Sequence, residues 1–263
     1  MATMPGAPAS SSAPSARLNT LAGIAVKAGA VIMRHYAAGV EARHKQDRSP
    51  VTDADEEAER LILAELAAHF PGVPVVAEEE AAAGRVAAVA ARFFLVDPLD
   101  GTREFLNRNG EFTVNIAEVV DGAPVAGVVY APAIGRLFAG DAGGAFEMTP
   151  DLEQARPIAA RAMPKSGLVA VGSRSHGDEK TAEYLAQFEV KELRSAGSSL
   201  KFCLVAAGEA DLYPRAGRTM EWDTAAGHAV LAAAGGSVTG WDGSPFVYGK
   251  PGFENPAFVA RGR

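Results

Sequence analysis

The run Val96-Asp97-Pro98-Leu99-Asp100-Gly101-Thr102 places two carboxylates, a backbone turn and a hydroxyl within one short stretch. Asp97 and Asp100, with the Leu99 carbonyl between them, offer hard oxygen ligands of the kind magnesium takes, and magnesium usually binds through few carboxylates plus substrate phosphate. Gly101 lets the backbone approach an anion closely. A helix starting at Thr102 would turn its free amides and its dipole toward the same phosphate. The chemistry indicated is metal-assisted phosphoester hydrolysis. The same letters also spell an ordinary turn, because Asp, Pro and Gly are standard turn formers. Two further acidic stretches weigh against the turn alone: Pro74-Val75-Val76-Ala77 runs into Glu78-Glu79-Glu80, and Glu221-Trp222-Asp223 precedes a helical segment.

These groups need a scaffold. Arg92 to Val96 reads as a buried strand, with Asp97 emerging at its end as Pro98 turns the chain out of the sheet. Apolar residues at helical spacing predict an amphipathic helix from Leu18 to about Tyr36. A second is predicted over Ala54 to Phe70, with Asp55 in its first turn, where an acid commonly caps or meets the helix dipole. Strands are predicted at 75–77, 113–120 and 125–130, the last two joined by an Asp121-Gly122 turn. Residues 150–164 read as a polar, proline-containing connection. A strand over 168–172 then ends in Ser173-Arg174-Ser175-His176. Helices over 181–188, 198–207 and 223–234 and a strand at 190–193 follow, the last helix stopped by Gly235-Gly236. The organisation expected is a disordered Ala/Pro/Ser tail over 1–16, an N-terminal α+β lobe over 17–150 carrying the metal loop, and a C-terminal α/β lobe over 151–263.

At 263 residues the chain can bury a sizeable core. Its net charge of −7 argues against a basic face for nucleic acid. Cations held by the carboxylates would invert the local field that an anionic substrate meets. The only cysteine, Cys203, excludes an internal disulfide and a cysteine-rich zinc site, and a reducing cytoplasm fits. No secretory signal and no transmembrane run of about twenty uninterrupted apolar residues is read. Peripheral membrane contact and a homodimer stay open.

With DPLDGT, VTDADEEAE, AEEE and EWDTAAGHAVLAAAGG in one order, the chain resembles, from residue 18 to about 260, the lithium-sensitive, magnesium-dependent phosphatases that include inositol monophosphatase and fructose bisphosphatase. The strings DPLDGTREFLNRNGEFTVNIA, GSRSH, AGSSLKFCLVAAGEADLYPR and TMEWDTAAGHAV look specifically like the bacterial 3′(2′),5′-bisphosphate nucleotidase branch of CysQ type. The resemblance implies an α+β fold, a layered α/β/α/β/α sandwich of two lobes with the active site between them. It implies two or three Mg2+ ions and a small phosphorylated substrate, adenosine 3′,5′-bisphosphate, cleaved to AMP and phosphate, with 3′-phosphoadenylyl sulfate as a related substrate in sulfur metabolism. Inositol or sugar phosphates are the alternative within the family.

Position by position, the resemblance makes Glu78, Asp97, the Leu99 carbonyl, Asp100 and Asp223 the metal shell. Asp100, Gly101 and Thr102 meet the scissile phosphate, and Asp55 with Thr102 orients or activates water. Ser173, His176, Gly197 and Lys201 match positions that contact the nucleotide. Ala77 stands where relatives often carry Ser or Gly, so Glu78-Glu79-Glu80 leaves a one-residue ambiguity over which Glu binds metal. A catalytically silent metal- or nucleotide-binding protein is the contrasting class, and the complete acid set argues against it. Cys203 reads as an inert core thiol. His35, His44, His69 and His228 lack metal-ligand spacing, and Trp222 reads as core or cleft wall.

Overall fold

The computed structural model describes residues 13–39, 43–44, 50–173 and 179–263. The first half comprises α1 (Ala16–Ala38), β1 (Arg43–His44), β2 (Pro50–Val51), α2 (Asp53–His69), β3 (Val75–Ala77), α3 (Glu78–Ala82), β4 (Arg92–Asp100), α4 (Thr102–Leu106), β5 (Thr113–Val120), β6 (Ala123–Ala131), β7 (Arg136–Asp141), β8 (Gly144–Met148) and β9 (Ala155–Ile158). The second half adds β10 (Leu168–Ser173), α5 (Glu179–Leu185), β11 (Val190–Ala196), α6 (Leu200–Ala206), β12 (Leu212–Arg215), α7 (Glu221–Ala233), β13 (Ser237–Gly240) and β14 (Phe258–Arg261).

Two large sheets organise these elements. The first has the order β3-β4-β5-β6-β7-β8-β9 and the second β11-β10-β12-β14-β13. Apart from the parallel β3–β4 pair, the first sheet is antiparallel. Alternation along its strands sends two sets of apolar residues to opposite faces. Phe94, Val96, Val114 and Ile116 pack under Leu21, Ile24 and Ile32 of α1 and Ile62 of α2. Phe93, Leu95 and Val119 share the other core with Phe202 and Cys203 of α6, Val230 and Leu231 of α7, and Tyr213 and Phe258 of the second sheet. Tyr184 of α5 covers Leu168, Leu212 and Val259 on the far side. The layers therefore read α/β/α/β/α, as the resemblance implied.

Three expectations need correction. Pro98 does not turn the chain out of the sheet: β4 continues to Asp100 through a bulge, since Asp97 pairs with Asn115 and Asp100 with Thr113. A bulge absorbs a residue that cannot donate to the ladder. The connection expected over 150–164 contains β9, which pairs antiparallel with β8 at the edge of the first sheet. The end of the supposed tail is structured as well. Ser15 caps α1, its hydroxyl accepting from Leu18 N at 3.1 Å and donating to Asp141 at 2.6 Å, and Ala16 is the first helical residue. Helix α1 is long and apolar enough to span a membrane by length and composition, but half of that apolar window is buried within this fold.

Candidate active site

Asp97, Leu99 and Asp100 all lie at the C-terminal end of strand β4. Asp97 is buried, and its Oδ1 accepts from Leu99 N at 3.0 Å, which fixes the loop across Pro98. Gly101 then adopts φ 90°, a left-handed conformation that costs glycine little, and Thr102 begins α4 immediately after it. Thr102 Oγ1 lies 3.3 Å from Asp55 Oδ1 and 3.5 Å from the Leu99 carbonyl. Asp55 itself is held rigidly: its Oδ2 accepts from Thr52 N at 2.8 Å and from Thr52 Oγ1 at 2.6 Å. The capping role expected of an acid in this turn is met, and the second oxygen is left to face Thr102.

Asp100 is held by the neighbouring strand β5 and by the residues just before α6. Its Oδ2 accepts from Ser199 N at 2.6 Å and from Asn115 Nδ2 at 3.2 Å, while Ser199 Oγ donates to Asn115 Oδ1 at 2.6 Å. Asp223, in the first turn of α7, accepts from Met220 N at 2.8 Å. Glu78 opens α3, and its carboxyl faces Asp97 closely enough to add to the charge that Asp97 meets. Glu80, by contrast, turns outward to Arg85, at 2.7 and 2.8 Å. Of the three consecutive glutamates, Glu78 is the one that meets Asp97.

The electrostatics follow from this crowding. Burial, and after it the charges of Glu78, Asp100 and Asp223, push the Asp97 carboxyl well above the usual range. Burial and then Asp100 and Glu78 do the same to Asp223. Asp100 is raised to about 6, burial outweighing the opposing effects of Lys201, Asn115 and Ser199 N. Acids gathered with so little protein cation between them form a hard-oxygen donor set that suits a divalent ion. As placed, among the described residues, no three such side chains converge on one point closely enough to enclose an ion.

The remaining residues from the sequence reading fall elsewhere. Ser173 ends β10, half-buried, and His176 lies outside the described residues. Gly197 is wedged against the loop after α4: its N–H donates to Glu111 Oε2 at 2.9 Å, and a Cβ there would stand 2.5 Å from the Glu111 carbonyl. Lys201 is only 3% exposed, donates to the carbonyls of Ala196 and Ser198, and lies over the Tyr213 ring. Burial lowers its ammonium to about 8, with Asp100 pulling the other way. Cys203 and His228 are packed groups, the thiol pushed up and the imidazole lowered to about 4 by burial, with His228 Nδ1 3.0 Å from the Tyr248 hydroxyl. Glu221 is structural: it accepts Gly249 N, Lys250 N and the Lys250 ammonium.

Sequence reasoning missed Asn115, Ser199 and Ser198, whose buried hydroxyl has no hydrogen-bond partner among the described residues. A lone Asn inside the apolar strand TVNIA was the available signal for the first. Nothing local marks the other two.

A match to the inositol monophosphatase family runs over residues 14–260. The chain belongs to that family. Among curated members of it, the 3′(2′),5′-bisphosphate nucleotidase CysQ of Salmonella typhimurium is 46% identical over 238 residues, 89% of this chain and 95% of the relative. The enzyme of the same name from Escherichia coli K12 is 44% identical over 244 residues, covering 92% and 98%. Among solved inositol monophosphatase-family structures, CysQ from Bacteroides thetaiotaomicron superposes with a TM-score of 0.76 at 38% identity, covering 93% of this chain and 97% of that one. The IMPase of Thermotoga maritima gives 0.77 at 26% identity, over 94% and 92%. This is a family of metal-dependent phosphatases.

Proposed function

We propose that this protein is a magnesium-dependent phosphatase that removes the 3′-phosphate of adenosine 3′,5′-bisphosphate, giving AMP and phosphate. The sulfated relative, 3′-phosphoadenylyl sulfate, is its second substrate, and the setting is cytoplasmic sulfur assimilation. The observation that carries the reaction class is the set Glu78, Asp97, Asp100 and Asp223 beside the Asp55–Thr102 contact. The identity to nucleotidases across nearly the whole chain supports the substrate.

Two or three magnesium ions held by Glu78, Asp97, the Leu99 carbonyl, Asp100 and Asp223 would supply positive charge to the phosphoryl group and to the leaving oxygen. The chain's own residues do the rest. Thr102 and Gly101 present backbone at the start of α4, where an anion is favoured. Asp55 accepts the Thr102 hydroxyl proton, leaving a Thr102 lone pair to receive a proton from water. That water is thereby aimed in line with the phosphorus as its proton passes toward Asp55. No covalent nucleophile is needed, and the buried Cys203 is not one. Ser173, His176, Gly197 and Lys201 are assigned to the nucleotide end.

The test is phosphate release from a panel of adenosine 3′,5′-bisphosphate, 3′-phosphoadenylyl sulfate, inositol 1-phosphate and fructose 1,6-bisphosphate, with MgCl2 and with EDTA. The bisphosphate nucleotide should be turned over with the highest kcat/KM, and only with magnesium. Release that is equal in EDTA, or fastest on inositol phosphate, overturns the assignment.

A further inference from the structure

Glu59 lies one helical turn beyond Asp55 in α2, is 3% exposed, and has no part in the chemistry above. Its two carboxylate oxygens each accept a backbone N–H from the start of α3: Glu79 N at 2.8 Å and Glu80 N at 2.9 Å. These are second and third residues of a helix, whose amides have no partner within it. The N-cap residue of this helix is Ala77, whose side chain makes no capping bond. An acid from α2 therefore does for α3 what an N-cap side chain normally does.

What this clamp fixes is Glu78, the first residue of α3, whose carboxyl meets Asp97. Residues four apart on a helix share a face. One face of α2 thus holds Thr102 through Asp55 and the Glu78 segment through Glu59. The Glu80 carboxylate turns the other way, to Arg85.

We propose that Glu59 is a positioning residue that sets Glu78 against Asp97 in register with the Asp55–Thr102 pair, so that metal affinity depends on an acid that does not touch the metal. The inference rests on the phosphatase reading above. It explains why a helix of only five residues, with no cap of its own, can present a ligand from a fixed place.

The experiment is calorimetric titration of the full-length protein with MgCl2, without substrate, for wild type, Glu59→Gln, Glu78→Ala and the double variant. Glu59→Gln is nearly isosteric but offers an amide N–H to one of the two backbone donors. It should need about tenfold more magnesium for half-saturation, as outer-shell partners typically do. Its kcat at saturating magnesium should stay within about threefold of wild type. In the Glu78→Ala background the same change should add nothing, because Glu59 acts through Glu78. Unchanged magnesium binding in Glu59→Gln, or an undiminished loss on top of Glu78→Ala, overturns the proposal. Wild-type protein that takes up no magnesium would instead overturn the phosphatase reading, so the two failures are distinct. Should Glu59→Gln not fold, hydrogen exchange of the wild-type Glu79 and Glu80 amides decides. Both should be protected and slower with magnesium, and exchange at free-peptide rates in both conditions overturns the clamp.

Discussion

Asp211 and Asp97 are both withdrawn from solvent, at 0% and 2% exposure, yet their carboxyls are moved in opposite directions. Burial pushes both up. At Asp211 this is outweighed by the Arg161 guanidinium, at 2.6 and 2.7 Å, and by Val169 N at 2.7 Å, and the carboxyl ends below its usual range. At Asp97 the surroundings are Glu78, Asp100 and Asp223, which push the same way as burial. Around Asp211 the protein supplies its own counter-charge, whereas around Asp97 it gathers further acids, a set that a cation would neutralise. Buried acid alone does not mark a site; acid that the protein fails to pair does.

The strongest way to break that contrast is to neutralise the unpaired acids. Asp97→Asn and Asp223→Asn should each lower kcat/KM by about a thousandfold or more, roughly 4 kcal/mol of transition-state stabilisation. Their melting temperatures in EDTA at pH 8 should hold or rise, because an uncompensated buried charge has been removed. Loss of activity accompanied by an equal loss of stability in EDTA would mean that these acids support the fold.

Asp211→Asn should behave in the reverse sense. It removes a charged acceptor from Arg161 and Val169 N, at a cost of about 1–3 kcal/mol seen in denaturant unfolding. Below the melting transition, kcat/KM should be unaltered. An activity loss without a stability loss would place Asp211 in the functional network and dissolve the distinction.

How far the sequence displays this contrast depends on distance along the chain. The arrangement of Asp97, Leu99, Asp100 and Thr102 was legible because acid, turn and helix start are adjacent, and the long helices showed their periodicity. The hold on Asp100 was not, since Ser199 and Asn115 come from 99 and 15 residues away. Strands β7 to β9 escaped notice because they are short and their Gly, Asp and Arg residues weaken the alternating signal. Lys201 reads as a solvated charge on any local rule, but α6 is a seven-residue helix buried on every side. Its ammonium is buried with it.

That ammonium is the cation that works against burial at Asp100, so it sharpens the comparison. Two of its three donors go to the Ala196 and Ser198 carbonyls, which leaves one for a ligand. Lys201→Met should reduce kcat/KM for adenosine 3′,5′-bisphosphate about ten- to a hundredfold more than for inositol 1-phosphate, which lacks the second phosphate. Equal losses on both would show that Lys201 serves Asp100 rather than the substrate.

The smallest effect concerns protons. Asp97 and Asp223 are raised well above the carboxylate range, and Asp100 to about 6. The folded protein without metal therefore keeps protons that the unfolded chain has already released. The stability these groups contribute is present in full below the unfolded values and is lost as pH rises through about 6 and beyond. Magnesium bound by the deprotonated set would compete with those protons and displace them. At one fixed MgCl2 concentration the gain in melting temperature should be small at pH 5.5 and larger at pH 8. Magnesium affinity should climb by up to about tenfold per pH unit for each proton displaced. Asp97→Asn should flatten that slope, since one of the displaced protons is gone, and Asp211→Asn should leave it unchanged, because its partner is an arginine. A magnesium response that is flat from pH 5.5 to 8 in the wild type would mean that the cleft acids are already ionised without a cation. The two sets of buried carboxylates would then differ in position alone, and not in charge.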